Sequence, residues 1–328
     1  MMKYTNPMKL LTEISIPEYP FRLDHRSSIL MMGSCFTENI GRIMEKYLFH
    51  TCINPFGVTY NPLSVKKGLE VLLQKEKYTA EDLDHHNDLW FSFDHYTGFS
   101  SMDRDETLGK INLSFQRAQK MLHDAHFLII TWGTAWVYTY NATGSVVCNC
   151  HKISASEFTR SRLAPREIIQ AYESFLPSLL EYNKNLKLIL TVSPVRHWKD
   201  GAHGNQLSKA TLLLAQEALE KMYPHRLFYF PSYEIIMDEL RDYRYYSQDL
   251  IHINNQATQY IWEKFDHALL SQESHSIIQE MIPLLNMMDH RPLFQEGDAY
   301  RKMARQKDEK LKLLKEKYPF LAWENILK

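Results

Sequence analysis

Five short apolar runs, at residues 28–33, 49–54, 126–132, 186–193 and 226–231, constrain this chain more than any other feature. Each ends at or beside Gly, Pro, Asn or Ser, as a strand buried on both faces does. Helical spacing fills the gaps. Ile40, Ile43, Met44, Tyr47 and Leu48 follow the first run, and Val65, Leu69, Leu72 and Leu73 follow the second. The segment 208–219 (SKATLLLAQEAL) follows the fourth. Strands alternating with helices imply parallel pairing, because each parallel connection needs a crossover and the crossover helices cover the sheet. The expected fold class is α/β: a three-layer α/β/α sandwich around a mostly parallel five-stranded sheet.

Two stretches break the alternation. Residues 136–140 and 145–150, joined by Asn141-Ala-Thr-Gly144, predict a β-hairpin inserted after the third strand, over about 135–151. Residues 83–105, rich in His, Asp and aromatics, predict an ordered loop over a sheet edge. Beyond about residue 270 the pattern turns helical, and charges concentrate at 301–317, the mark of a solvated helix face. The expected organisation is one α/β domain over 1–270 and a helical extension over 271–328.

With 328 residues, 45% apolar, the chain has ample material for a core. The 38 basic and 39 acidic residues leave a formal charge of −1, with no excess directed at nucleic acid or an anionic membrane. Pro7, Glu13, Pro17 and Glu18 interrupt any signal-peptide layout. The most apolar stretch, 127–140, is broken by Thr131, Gly133 and Thr134 and is shorter than the roughly 20 residues that span a bilayer. A soluble, cytoplasmic protein is expected. Cys35, Cys52, Cys148 and Cys150 are too few for a disulfide framework and are read as reduced thiols. Cys148-x-Cys150-His151 lacks a second cysteine pair for zinc, and no dinucleotide fingerprint, P-loop or His-Glu-x-x-His motif is present. No cofactor and no metal are expected.

In parallel sheets ligands sit outside the carboxyl ends of the strands. There the first run gives Gly33-Ser34-Cys35-Phe36, leading straight into a helix. Ser34 is a candidate nucleophile whose own N–H, at the helix N-terminus, suits a developing oxyanion. A plain helix cap is the competing role. Cys35 is the rival nucleophile, and only one of the two neighbours is expected to face the base. Asp249-Leu-Ile-His252, just before the last helix of the sheet region, supplies that base and its orienting carboxylate. Arg196 and His197, past the fourth run, are expected to overlook the cleft. Arg196 would meet a carboxylate or phosphate of the substrate, or else pair with Asp200. His151, at the hairpin end, is a further substrate contact. His85, His86, Asp94 and His95 are read as loop residues without a role.

The motif Gly33-Ser34-Cys35-Phe36-Thr37-Glu38-Asn39-Ile40-Gly41, with Asn54-Pro55-Phe56-Gly57-Val58-x-Tyr60-Asn61-Pro62, resembles the opening of the GSCFA family. Thr131-Trp-Gly-Thr-Ala-Trp-Val-Tyr138, Asn149-Cys-His-Lys152, Ser193-Pro-Val-Arg-His197, Ser208-Lys209 and Asp249-x-x-His252 continue the similarity. The family lies within the SGNH/GDSL-like hydrolases, so the resemblance implies a flavodoxin-like sandwich with Ser34, Asp249 and His252 as the triad. It also implies an oxyanion donor at Gly57. The Asn that SGNH enzymes carry after the third strand is absent. Gly133-Thr134-Ala135-Trp136 stands there, with Thr134 or a backbone N–H as its substitute. The implied function is a serine hydrolase of a small-molecule or carbohydrate acyl ester, with an O-acylated sugar as the expected substrate. An acyltransferase using the same triad, and a non-catalytic glycan- or partner-binding protein on a degenerate hydrolase fold, are the alternatives.

Overall fold

The computed structural model describes residues 11–290 and 297–326. Residues 1–10, 291–296 and 327–328, which belong to the N-terminal segment and the C-terminal extension read above, lie outside the described residues. The chain runs β1 (Ser28–Gly33), α1 (Cys35–Lys46), β2 (His50–Ile53) and α2 (Pro62–Gln74), then a small hairpin of β3 (Asp84–His86) and β4 (Leu89–Phe91). It continues through α3 (Arg104–Asp124), β5 (Phe127–Trp132), β6 (Trp136–Tyr140), β7 (Ser145–Val147), β8 (Phe158–Arg162) and α4 (Pro165–Tyr182). Then come β9 (Lys187–Val192), α5 (Gly201–Met222), β10 (Leu227–Tyr229) and α6 (Ser232–Glu234), which passes into a π-turn at Ile235–Glu239. Helices α7 (Asn255–Leu269), α8 (Gln272–Asp289) and α9 (Asp298–Lys317) follow.

The five expected strands form one sheet in the order β10-β9-β5-β1-β2, and every pairing is parallel. Side chains alternate across it. Ile29, Met31, Phe127, Ile129 and Ile189 enter one core with Phe36, Ile40 and Met44 of α1 and Ile261, Trp262 and Phe265 of α7. Leu30, Met32, Leu128, Ile130, Trp132, Leu188 and Leu190 enter the other, against helices α2 to α5. Both faces are covered, which is why these strands read as continuous apolar runs.

The chain moves outward from β1 to β2, then returns past β1 to β5. The carboxyl ends of β1 and β5 therefore flank the switch point where such sheets bind ligands. Gly33 ends β1 with φ +142, and a Cβ there would lie 2.2 Å from the Thr131 carbonyl oxygen of β5, so only glycine lets the strands stay paired up to the turn.

The hairpin expected after the third strand is present, but it is one part of a three-stranded sheet. β8 pairs antiparallel with β6, and the insertion reaches Arg162. The sequence pattern hid β8 because it is FTRSR, with only Phe158 buried. The 83–105 stretch is likewise more structured than a loop. It holds the β3–β4 hairpin and packs Tyr96 on the turn after β2, with the Tyr96 N–H donating to the Phe56 carbonyl at 2.8 Å. The C-terminal helices cluster Ile277, Met281, Leu284, Leu285, Leu314 and Trp323 around Leu48 of the α1–β2 turn. No described helix is long and apolar enough to cross a membrane.

Candidate active site

Ser34 leaves β1 and becomes the N-cap of α1, with β-region dihedrals and its Oγ accepting the Phe36 N–H at 3.3 Å. It is 1% exposed. A cavity of about 390 Å³ opens in front of it, lined by Ser34, Cys35, Tyr60, Asn61, Thr134, Arg160, Arg196, His197 and His252, among others. Of the expected site residues, Ser34 at the end of β1, Arg196 and His197 in the loop after β9, and His252 on the approach to α7 thus line one cavity at the switch point.

Asp249 and His252 are built as one local unit. Oδ1 of Asp249 accepts the N–H groups of Ile251 and His252, each at 3.0 Å, and Oδ2 meets His252 Nδ1 at 2.6 Å. Leu250 takes the left-handed conformation, φ +57, that lets the turn close so tightly. These contacts, with the His252 ring first among them, hold the Asp249 carboxyl down at about 2. With Nδ1 engaged, Nε2 is the ring nitrogen left for chemistry in the cleft. Among the described residues, no hydrogen bond joins Ser34 to His252.

Both Ser34 and Cys35 line the cavity. The alternation that separates neighbours in a strand ends at Ser34, where the chain turns into the helix. Cys35 is the more exposed of the two, yet burial and the nearby Glu38 carboxylate raise its thiol above the ordinary range. All four cysteines are free.

The backbone oxyanion donors expected from the sequence are engaged elsewhere in this arrangement. The N–H of Ser34 donates to the Thr131 carbonyl at 3.1 Å, that of Gly57 to Asn54 at 2.7 Å, and that of Thr134 to Tyr60 at 2.9 Å. The Thr134 hydroxyl is bonded to Ser208 Oγ at 3.1 Å. Gly57 also lies outside the cavity lining, and a Cβ there would meet Tyr96 Cβ at 2.4 Å. The first-turn N–H groups of Cys35 and Phe36 remain; both lie against the Cys35 thiol, and the latter also donates to Ser34 Oγ. Asn61 lines the cleft as the N-cap of α2, and only one hydrogen of its amide is spent, on Ser64 Oγ at 2.9 Å.

His151 is not in the cleft. It stacks on Phe91 with centroids 4.2 Å apart, and Nε2 bonds the Ser92 carbonyl oxygen at 3.1 Å. It therefore serves the insertion's own core, which the Cys-x-Cys-His pattern gave no means of seeing. His197 does line the cleft. Burial first, then the Lys209 charge, hold its imidazole down at about 4, so it is neutral at pH 7. Asp200 pairs with Arg160 of β8 and not with Arg196.

Lys209 has no role in the sequence reading beyond its place in the Ser208-Lys209 motif, and it sits mid-helix in α5. It is buried, and its Nζ donates to the carbonyls of Gly133 and Ser193 at 2.6 Å each, tying the turns after β5 and β9 together beneath the cleft. Its neighbour Ser208 accepts the Ala135 N–H at 2.8 Å. Desolvation brings the Lys209 ammonium down to about 7. The signal for it was the Ser208-Lys209 motif itself, a lysine next to serine in an otherwise apolar helical stretch.

The family model described as the GSCFA family matches residues 28–265, from the start of β1 to α7. No curated protein matches the chain.

Proposed function

This chain belongs to the GSCFA family, and from that premise we propose that it is a serine hydrolase acting on an acyl ester through an acyl-Ser34 intermediate. The observation that carries the proposal is that Ser34 and His252, from opposite ends of the sheet region, line one cavity while Asp249 holds His252 by Nδ1 at 2.6 Å. In this reading Ser34 Oγ turns off the Phe36 N–H towards His252 Nε2, which takes its proton as Oγ attacks the ester carbonyl. The Asp249 carboxylate stabilises the imidazolium, which returns the proton to the departing alcohol. Water then repeats the sequence on the acyl-enzyme.

The rotation of Ser34 also frees the Phe36 N–H. That group and the Cys35 N–H, at the positive end of α1, are the proposed oxyanion donors, with the spare Asn61 amide hydrogen in place of the missing Asn. The arrangement is compatible with an SGNH-type site and with an O-acylated carbohydrate, and the same acyl-Ser34 would serve an acyltransferase if a sugar alcohol displaced water.

A second nucleophile has one observation behind it, the greater exposure of Cys35 in the same cavity. Its raised thiol works against it, since the thiolate is the reactive form. Labelling with a fluorophosphonate, followed by peptide mapping of wild type, Ser34→Ala and His252→Ala, tests the proposal. Label on Ser34 that disappears in both variants is the expected result, and a folded wild type that takes no label would refute it.

A further inference from the structure

We propose that the ester accepted by this cleft is anionic and that its carboxylate or phosphate seats on Arg196. The ester part rests on the hydrolase reading above, and the anion part rests on charge and geometry. The protein as a whole carries a formal charge of −1. The cavity in front of Ser34 nevertheless gathers three cations, Arg160, Arg196 and Lys199, against a single carboxylate, Asp200. A positive cleft on a nearly neutral protein concentrates anions, because its low-dielectric walls focus the field.

The three cations are not equivalent. Arg160 pairs with Asp200 and lies over the Trp136 ring at 4.0 Å. Lys199 donates to the Tyr138 hydroxyl at 2.6 Å. Arg196 is half-buried, and among the described residues its one hydrogen-bond partner is the Met237 sulfur at 3.8 Å, with no carboxylate in reach. It forms the wall shared with a second cavity of about 430 Å³. The carboxylates of that second cavity are taken: Asp242 by Arg244 and Asp249 by His252. A guanidinium that has given up water without gaining an anion pays a desolvation cost, and an anion offering two oxygens to its N–H fork would offset it. Arg196 and the proposed nucleophile line the same cavity, so one substrate reaches both.

The test is calorimetric titration of Ser34→Ala with three probes: acetylated glucose, acetylated glucuronate and acetylated glucose 6-phosphate. At least one anionic sugar should bind about tenfold or more tightly than the neutral one, and which one it is separates a carboxylate from a phosphate site. The margin should shrink as salt is raised. It should vanish in Ser34→Ala/Arg196→Gln, with partial recovery when Arg196 is replaced by Lys. Equal affinities, a margin that survives Arg196→Gln, or no measurable binding of any probe would overturn the proposal. Fluorophosphonate labelling stands apart: a wild type that takes no label but binds anions through Arg196 refutes the hydrolase reading and leaves the anion site in place.

Discussion

Asp249 grips His252 twice, by its backbone N–H on Oδ1 at 3.0 Å and by its ring Nδ1 on Oδ2 at 2.6 Å. One carboxylate thereby fixes both where the loop runs and which nitrogen the imidazole presents. Asp249→Asn keeps the shape but loses the charge that selects the tautomer, and it should lower kcat by roughly 10³–10⁴-fold on any ester the wild type cleaves. Both side chains are about half exposed, so the melting temperature should barely move. Circular dichroism beside initial rates separates the two effects. Because the folded carboxyl titrates at about 2, its stabilising contribution is complete above the unfolded value near 4 and is lost only as pH falls through 2. A break in the wild-type rate profile at pH 4 to 5 that Asp249→Asn abolished would contradict this.

Lys209→Met removes the donor shared by the Gly133 and Ser193 carbonyls. Each such loss costs about 1–3 kcal/mol, partly offset by no longer burying an amine. Urea titration should therefore show a net loss of a few kcal/mol at most. The pH dependence is the sharper readout. The folded amine releases its proton at about 7 and the unfolded one near 10.5, so between these values the unfolded chain holds more protons and stability rises with pH. That rise should flatten in Lys209→Met, and an unchanged slope between pH 7 and 9 would mean that the amine does not titrate there.

His95 is fully buried among Phe56, Tyr78 and Phe99, and neither ring nitrogen has a protein partner among the described residues. Burial holds its imidazole down at about 4, against about 6.5 unfolded. Stability contributed by the neutral ring is thus lost as pH falls from 6.5 towards 4. His95→Phe should raise stability at pH 7 by about 1 kcal/mol or more, since it removes two unpaired polar atoms, and should shallow the acid limb. Thermal melts at pH 7 and 5 decide this.

Gly33→Ala puts a methyl group 2.2 Å from the Thr131 carbonyl oxygen at φ +142. The loss should exceed about 2 kcal/mol, and fluorophosphonate labelling of Ser34 should fall with it. Gly109→Ala, where nothing lies within 4 Å and the helix is regular, is the matched control and should be neutral or stabilising.

The sequence by itself determined the sheet. Strands buried on both faces need unbroken apolar runs, and the helices between them need a 3.6-residue stripe, so all five strands were legible in the pattern. The place of Ser34 was legible too, at the end of a glycine-ended strand as the cap of the following helix. Local bonding also made Asp249-x-x-His252 readable, since Asp249 holds residues two and three positions on.

What only the tertiary structure decided lies in the contacts between distant segments. β8 has no apolar stripe and exists because β6 offers it an edge, and it is β8 that brings Arg160 to Asp200. The N–H groups of Ser34, Gly57 and Thr134 carry no mark in the sequence of the carbonyls that engage them. Asp200, the acid the sequence offered to Arg196, is held by Arg160 instead. Hydrophobic periodicity is written along the chain, whereas the pairing of polar groups depends on which segments packing brings within 3 Å of one another.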